Sequence, residues 1–188
     1  MFDEMLTEFE TMKAELLKRQ VELSVSIRPK FHEAFALIFK RHPKLENITF
    51  TAYTPYFNDG DECVYSVNEP EMSACGIEDI ESYSAGTIAK AAEFQRTGVV
   101  PAEVKSDYSR WASSRYDSPE TYLRSTAAEY LKLDASELEE LGAIAGDFPA
   151  VQAILEAVPE EVMKGMFGDH VKVVITADAV EVDEYDHD

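Results

Sequence analysis

One segment constrains the fold more than any other: residues 48–67, which read ITFTAYTPYFNDGDECVYSV. Apolar and polar side chains alternate from Ile48 to Tyr53, a period of two that is typical of a half-buried strand. The run Asn58–Asp61 contains Asp-Gly, the pair that tolerates the positive φ of tight hairpin turns. Alternation resumes from Cys63 to Val67. The segment therefore predicts a β-hairpin with an acidic tip.

A second alternating segment closes the chain. Val171, Val173 and Ile175 share one face, Asp178-Ala179 predicts a turn, and Val180 and Val182 return. Two hairpins separated by helical patterns predict an α+β fold, in which both hairpins form a small antiparallel sheet packed against several α-helices. The length fits a single domain over residues 1–188.

The N-terminal segment predicts a long amphipathic helix over about residues 3–25. Its apolar positions follow a heptad-like spacing: Phe2, Met5, Phe9, Met12, Leu16 and Leu23. Spacing alone leaves two readings open, packing on the same chain or an oligomer contact made by a projecting helix 1–25. Pro29 predicts the first turn of a second helix that stops before Pro43.

Further helices follow from capping and proline signals. Patterns predict them at about residues 77–95, from Ser118-Pro119 to about Lys132, at 135–145 after an Asp134/Glu137 capping box, from Phe148-Pro149, and from Pro159 to Gly168.

Charge limits the partners that this chain can bind. Seventeen Lys and Arg stand against 37 Asp and Glu, a net charge of −20. Direct binding to nucleic acid or to anionic membranes is disfavoured, because both depend on cationic side chains. A protein with a basic surface would be attracted instead. The alternative is that the acids only keep the protein soluble.

The first hairpin and the chain end carry the candidate partner-binding residues. Aromatic rings beside acids on a protruding turn are typical of protein-binding surfaces. The candidates are Tyr53, Tyr56, Phe57, Asn58, Asp59, Asp61, Glu62, Glu181, Asp183 and Glu184. Two alternatives stay open: the rings pack into the sheet, or the acids imitate the phosphates of nucleic acid and block a nucleic-acid-handling protein.

Catalytic and cofactor motifs are absent from the sequence, which favours a non-enzymatic protein without a cofactor. The alternative is a metal-dependent enzyme. Asp169-His170 and Asp186-His187-Asp188 flank the second hairpin, whose ends meet if it forms, and such ligands suit Zn²⁺ or Fe²⁺. Cys63 and Cys75 form no C-x-x-C pair, no signal peptide is recognised, and no apolar run spans a bilayer. These features predict a cytoplasmic protein.

Two segments carry a resemblance. YTPYFNDGDEC at residues 53–63 and FGDHVKVVITADAVEVDEYDHD at residues 167–188 resemble a group of uncharacterised proteins encoded largely by bacteriophages. Ala179 departs from that pattern, which has glycine there. The resemblance implies a phage protein that acts on a component of its bacterial host. Together with the charge, it predicts an acidic module that binds and inhibits or modulates a basic host protein.

Overall fold

The computed structural model describes residues 2–57, 60, 62–81 and 84–186, without the side chains of residues 2–4 and 6. The chain divides into two compact units. The first unit comprises Met1–Lys40, Thr49–Pro70 and Val151–Asp188, and the second comprises Arg41–Ile48 and Glu71–Ala150. The single domain expected from the length stays a prediction.

Five strands form the sheet, and the predicted α+β class is confirmed. They are β1 (Leu45–Tyr53), β2 (Ser66–Val67), β3 (Glu71–Ala74), β4 (Val171–Ile175) and β5 (Val180–Glu184). The order is β2-β1-β4-β5, with β3 also paired to β1. The two hairpins therefore adjoin through β1 and β4, as the sequence predicts.

The first hairpin is shorter than its alternation suggests. Ala52 pairs with Val67 and Tyr53 with Ser66, but Cys63–Tyr65 lie outside any strand, so the predicted return strand from Cys63 is wrong. The ladder stops because Pro55 has no N–H to donate, while the Thr54 N–H bonds to Asp169 instead. The predicted turn residues Asn58, Asp59 and Asp61 lie outside the described residues.

The second hairpin matches its prediction closely. β4 and β5 are antiparallel, with Val173 opposite Val182 and Lys172 opposite Asp183. A turn at Thr176–Ala179 joins them, closed by the Thr176 N–H, which donates to the Ala179 carbonyl at 2.9 Å. Alternate residues of β4 are buried, whereas residues 181–184 of β5 are all exposed. β5 is thus an edge strand that carries three acids.

A single helix, α1 (Phe2–Arg41), replaces the two helices predicted around Pro29. Continuing through a proline costs about 3 kcal/mol, because the carbonyl four residues earlier loses its donor. The phenyl rings of Phe31 and Phe35 offset this cost, since burying each contributes about 1.5–3 kcal/mol. Their ring centroids are 4.7 Å apart, and Phe31 also lies 5.5 Å from Phe167. Tertiary packing therefore overrides the local signal.

The remaining helices confirm the capping signals but not every boundary. They are α2 (Ser84–Thr97), α3 (Ala102–Asp107), α4 (Pro119–Thr126), α5 (Ala135–Glu156) and α6 (Glu160–Phe167), with a π-helical turn at Tyr108–Ala112 and a 3₁₀ turn at Tyr130–Lys132. Asp134 and Glu137 form the predicted capping box, with reciprocal bonds of 2.8 and 2.9 Å. Ser118 caps α4, and Gly168 ends α6 at φ 105°.

Three helix boundaries were predicted wrongly. Residues 77–81 are not helical, because Ile77 is bridged to Ala74 by two backbone hydrogen bonds. Helix α4 stops at Thr126 instead of reaching Lys132. Helix α5 continues through Pro149, where a new helix was expected, while Phe148 and Val151 on either side are buried. Packing again outweighs the proline.

No single helix among the described residues is long and apolar enough to cross a membrane, although α5 and α6 meet those criteria when taken together as a bent pair.

Replacing Pro29 tests whether α1 is continuous. Pro29→Ala restores an N–H donor for the Val25 carbonyl, so the free energy of unfolding should rise by about 2 kcal/mol, measured by chemical denaturation. Pro119→Ala is the control, because Pro119 occupies the first turn of α4, where no helical bond is lost. Unchanged or lower stability of Pro29→Ala would indicate a helix that starts anew at Pro29.

Candidate interaction surface at the end of the sheet

Asp169 links the two hairpins where β1 ends and β4 is about to begin. Its Oδ1 accepts the Thr54 N–H at 2.8 Å, and its Oδ2 accepts the Thr54 hydroxyl at 2.8 Å. Lys164, from α6, donates to Oδ2 at 2.6 Å. We call this arrangement the Asp169 latch, meaning Thr54, Lys164 and Asp169. It fixes the position at which the chain leaves the sheet after β1.

The latch determines the ionisation of Asp169. Burial alone would raise the pKa of this carboxyl, but the hydrogen bonds from Lys164 and Thr54 outweigh burial and lower the pKa to about 2. The carboxylate is therefore charged at neutral pH and paired with the ammonium group of Lys164. Within the latch, Asp169 is a structural group with both oxygens engaged.

Tyr65 lies beside the latch. The Lys164 ammonium is 5.3 Å from the centroid of its ring, within the range of a cation–π contact. Burial raises the pKa of Tyr65 to about 12, and the nearby charges of Asp169 and Glu160 act in the same direction. The phenol therefore stays neutral at neutral pH and serves as packing beside the latch.

His170 organises the rings at this end of the sheet. The imidazole stacks on Tyr56, with centroids 4.6 Å apart and planes inclined by 14°, and Tyr53 lies 6.3 Å away on the basis of centroids. The ring centroid of Tyr185 is 5.6 Å from that of Tyr53, and the backbone N–H of Tyr185 donates to the His170 carbonyl at 2.7 Å. The ends of the second hairpin therefore meet, as predicted. His170 has φ 55°, an uncommon backbone conformation for a residue other than glycine.

Exposure separates the predicted rings into two groups. Tyr53 is half-buried against its neighbours, as the packing alternative expects. Tyr56 and Phe57 are 69% and 77% exposed. Exposed aromatic rings held in place by stacking lose little conformational freedom on binding. We call Tyr53, Tyr56, Phe57, His170 and Tyr185 the aromatic end of the sheet.

Of the predicted acids that the structure describes, three lie on β5 and one lies between β1 and β2. Glu62 is exposed between β1 and β2, and Glu181, Asp183 and Glu184 are exposed on β5. Among the described residues, none of these three β5 acids forms an ion pair, although Lys172 lies opposite Asp183 in the ladder. β5 therefore presents a net negative edge.

The alternative metal site finds no support in the part of the chain that the structure describes. No group of three or more His, Cys, Asp or Glu side chains there is arranged to hold a metal ion. Asp169 is engaged in the latch, His170 stacks on Tyr56, and Asp186 is exposed. The other two predicted ligands, His187 and Asp188, lie outside the described residues.

Sequence reasoning missed a buried histidine in the second unit. His42, which follows the end of α1, is only 4% exposed. Its Nε2 lies 2.9 Å from Asp147 and its Nδ1 lies 3.6 Å from Glu140, while Arg41 also contacts Asp147 at 2.9 Å. The hydrogen bond to Asp147 compensates the cost of burying the imidazole. No local signal reveals this cluster, because Asp147 is 105 residues away in sequence.

Comparisons with protein families, curated proteins and solved structures find no match to this chain. What the surface can bind therefore follows from its own residues.

Replacing Asp169 tests the latch. Asp169→Asn removes the charge that pairs with Lys164, so the free energy of unfolding at pH 7 should fall by about 1–2 kcal/mol after allowance for the partial exposure of the carboxyl. Because the folded-state pKa of Asp169 is lowered, its contribution is complete above about pH 4 and is lost as the pH falls through about 2. The difference between wild type and variant should shrink over that window.

Asp183→Asn provides the control, since it removes an exposed carboxylate outside the latch. Its effect at pH 7 should stay within about 0.5 kcal/mol. Equal destabilisation by both substitutions at every pH would contradict a specific role for Asp169.

Proposed function

We propose that this protein is a non-enzymatic interaction module that binds a protein with a basic surface through the aromatic end of the sheet and the acids of β5. One observation supports the proposal most directly. The two hairpins adjoin in one sheet, so exposed rings and exposed acids belong to the same unit.

Rings and acids would contribute differently to binding. Tyr56 and Phe57 supply apolar area, and the stack on His170 orients the Tyr56 ring before a partner arrives. Glu181, Asp183 and Glu184 attract a cationic partner and steer its approach. Affinity would then come mainly from the rings, while association rate and selectivity would come from the carboxylates.

The resemblance to phage-encoded proteins suggests where the partner is found. A basic protein in the cytoplasm of a bacterial host, which binding inhibits or modulates, fits both the resemblance and the net charge of −20. A nucleic-acid-handling protein is a specific form of this proposal. Glu181 and Asp183 point to the same side of β5, about 7 Å apart along the strand, which matches the axial rise of two nucleotides on one DNA strand.

Charge reversal on β5 tests the proposal. The triple variant Glu181→Lys, Asp183→Lys, Glu184→Lys should lose the bacterial proteins that the wild type captures from a lysate at low salt. Wild-type capture should itself weaken steeply as salt is added, because exposed charges are screened. Quantitative mass spectrometry of the captured proteins measures both effects. Adding duplex DNA should release a partner whose nucleic-acid groove is occupied.

The matched control carries the same change of net charge on the second unit: Glu103→Lys, Glu129→Lys and Glu139→Lys, all exposed. It should retain the captured proteins, whereas the double variant Tyr56→Ala, Phe57→Ala should lose them even with every acid present. If the control and the β5 variant behave alike, net charge alone governs capture and the proposed surface is wrong.

A further inference from the structure

The first half of α1 displays an apolar stripe that is exposed to solvent. Met5, Phe9, Met12, Leu16 and Leu23 are between 49% and 64% exposed. Together with Phe2 they follow the heptad-like spacing noted in the sequence, and we call these six residues the α1 seam. Of the two readings that the spacing leaves open, packing of the stripe on its own chain is therefore not seen for the side chains that the structure describes.

The seam and the buried face of α1 point in different directions. Each residue of an α-helix turns by about 100°. On this measure the seam lies about a quarter turn away from the face that buries Ser24, Phe31 and Phe35. That buried face contacts α6, where Ser24 Oγ lies 3.5 Å from the Val162 carbonyl and Arg28 donates to the Met166 carbonyl. The seam is thus a second, separate apolar face.

We propose that a second copy of this chain covers the seam, and that the two α1 helices form a parallel two-stranded coiled coil. The charges beside the seam select this partner. One flank carries Glu8, Glu15 and Glu22, and the other carries Lys13 and Gln20. In a parallel pair the two different flanks face each other, which brings Glu8 of one helix against Lys13 of the other. An antiparallel pair would bring the two glutamate flanks together.

The heptad spacing of the seam passes through one position that is not apolar, Arg19, between Leu16 and Leu23. Its guanidinium bonds to Glu15 of the same helix at 2.7 Å and is largely exposed. A polar residue at one seam position fixes register at a cost in stability. The dimer should therefore be weak and in exchange with the monomer, with the long Arg19 side chain reaching out of the interface.

Two neighbouring leucines give a matched test by sedimentation equilibrium of the full chain over a range of concentrations. Leu16 is on the seam and Leu17 is off it, although both are more than half exposed. Leu16→Glu should weaken self-association at least about tenfold, because it places two charges in the interface, whereas Leu17→Glu should leave it unchanged. Arg19→Leu should strengthen it.

A monomer at every concentration for both the wild type and Arg19→Leu would overturn the proposal, and so would equal effects of Leu16→Glu and Leu17→Glu. If the seam binds a different protein instead, the purified chain should be a monomer at every concentration. Circular dichroism of each variant shows whether the helix itself is retained, so that a loss of association can be assigned to the interface.

Charge exchange tests the orientation. Glu8→Lys and Lys13→Glu should each weaken the homodimer, because residue 8 of one helix then faces a like charge at residue 13 of the other. A mixture of the two variants should form heterodimers, because both pairs between residues 8 and 13 are then opposite in charge. Residues 8 and 13 are five positions apart, too far for a pair on one helix turn. Stronger self-association of Glu8→Lys would overturn the parallel arrangement.

Discussion

The structure of the first unit depends on the Asp169 carboxylate, which accepts both hydrogen-bond donors of Thr54 and the ammonium of Lys164. These contacts tie the end of β1 to the start of β4 and to α6. Without them the Thr54 N–H would lack a partner at the sheet end, where an unpaired donor is costly. The neighbouring His170 then takes its left-handed backbone and presents the ring on which Tyr56 stacks. One charged group thus fixes the relative positions of the two strand ends and lies next to the residue on which the aromatic rings pack.

This dependence explains how a highly acidic chain can display organised aromatic rings. Most of its carboxylates are solvated, and they contribute little to stability individually. Asp169 differs because its oxygens are engaged and its pKa is lowered to about 2 against the effect of burial. The rings of the aromatic end are supported by backbone and stacking contacts, while β5 leaves its acids free of described ion pairs. In the proposed function, structural and recognition roles therefore fall on different carboxylates.

Local sequence signals predicted those parts of the fold that are determined locally. The Asp134/Glu137 box, the Ser118 cap and the β4–β5 hairpin each depend on residues a few positions apart. The α+β fold class and the pairing of the two hairpins in one sheet were predicted from the two alternating segments and the helical patterns between them. Tyr56 and Phe57, which precede the expected turn, are exposed, while the turn itself stays a prediction.

Errors arose where distant contacts decide the outcome. Pro29 and Pro149 lie inside helices because buried neighbours such as Phe31 and Phe148 outweigh the lost hydrogen bonds. The return strand is short because Thr54 bonds to a residue 115 positions away. His42 is buried for the same kind of reason. No window of neighbouring residues contains such information.

The exposed edge strand β5 has one more consequence. Among the described residues no strand pairs with its outer backbone groups, and such edges invite pairing with other chains. The carboxylates of Glu181, Asp183 and Glu184 repel the identical edge of another copy, which guards against aggregation by strand addition. A segment rich in lysine or arginine meets no such repulsion. Charge repulsion therefore disfavours pairing between the β5 edges of two copies, but it does not oppose pairing of β5 with a strand of opposite charge.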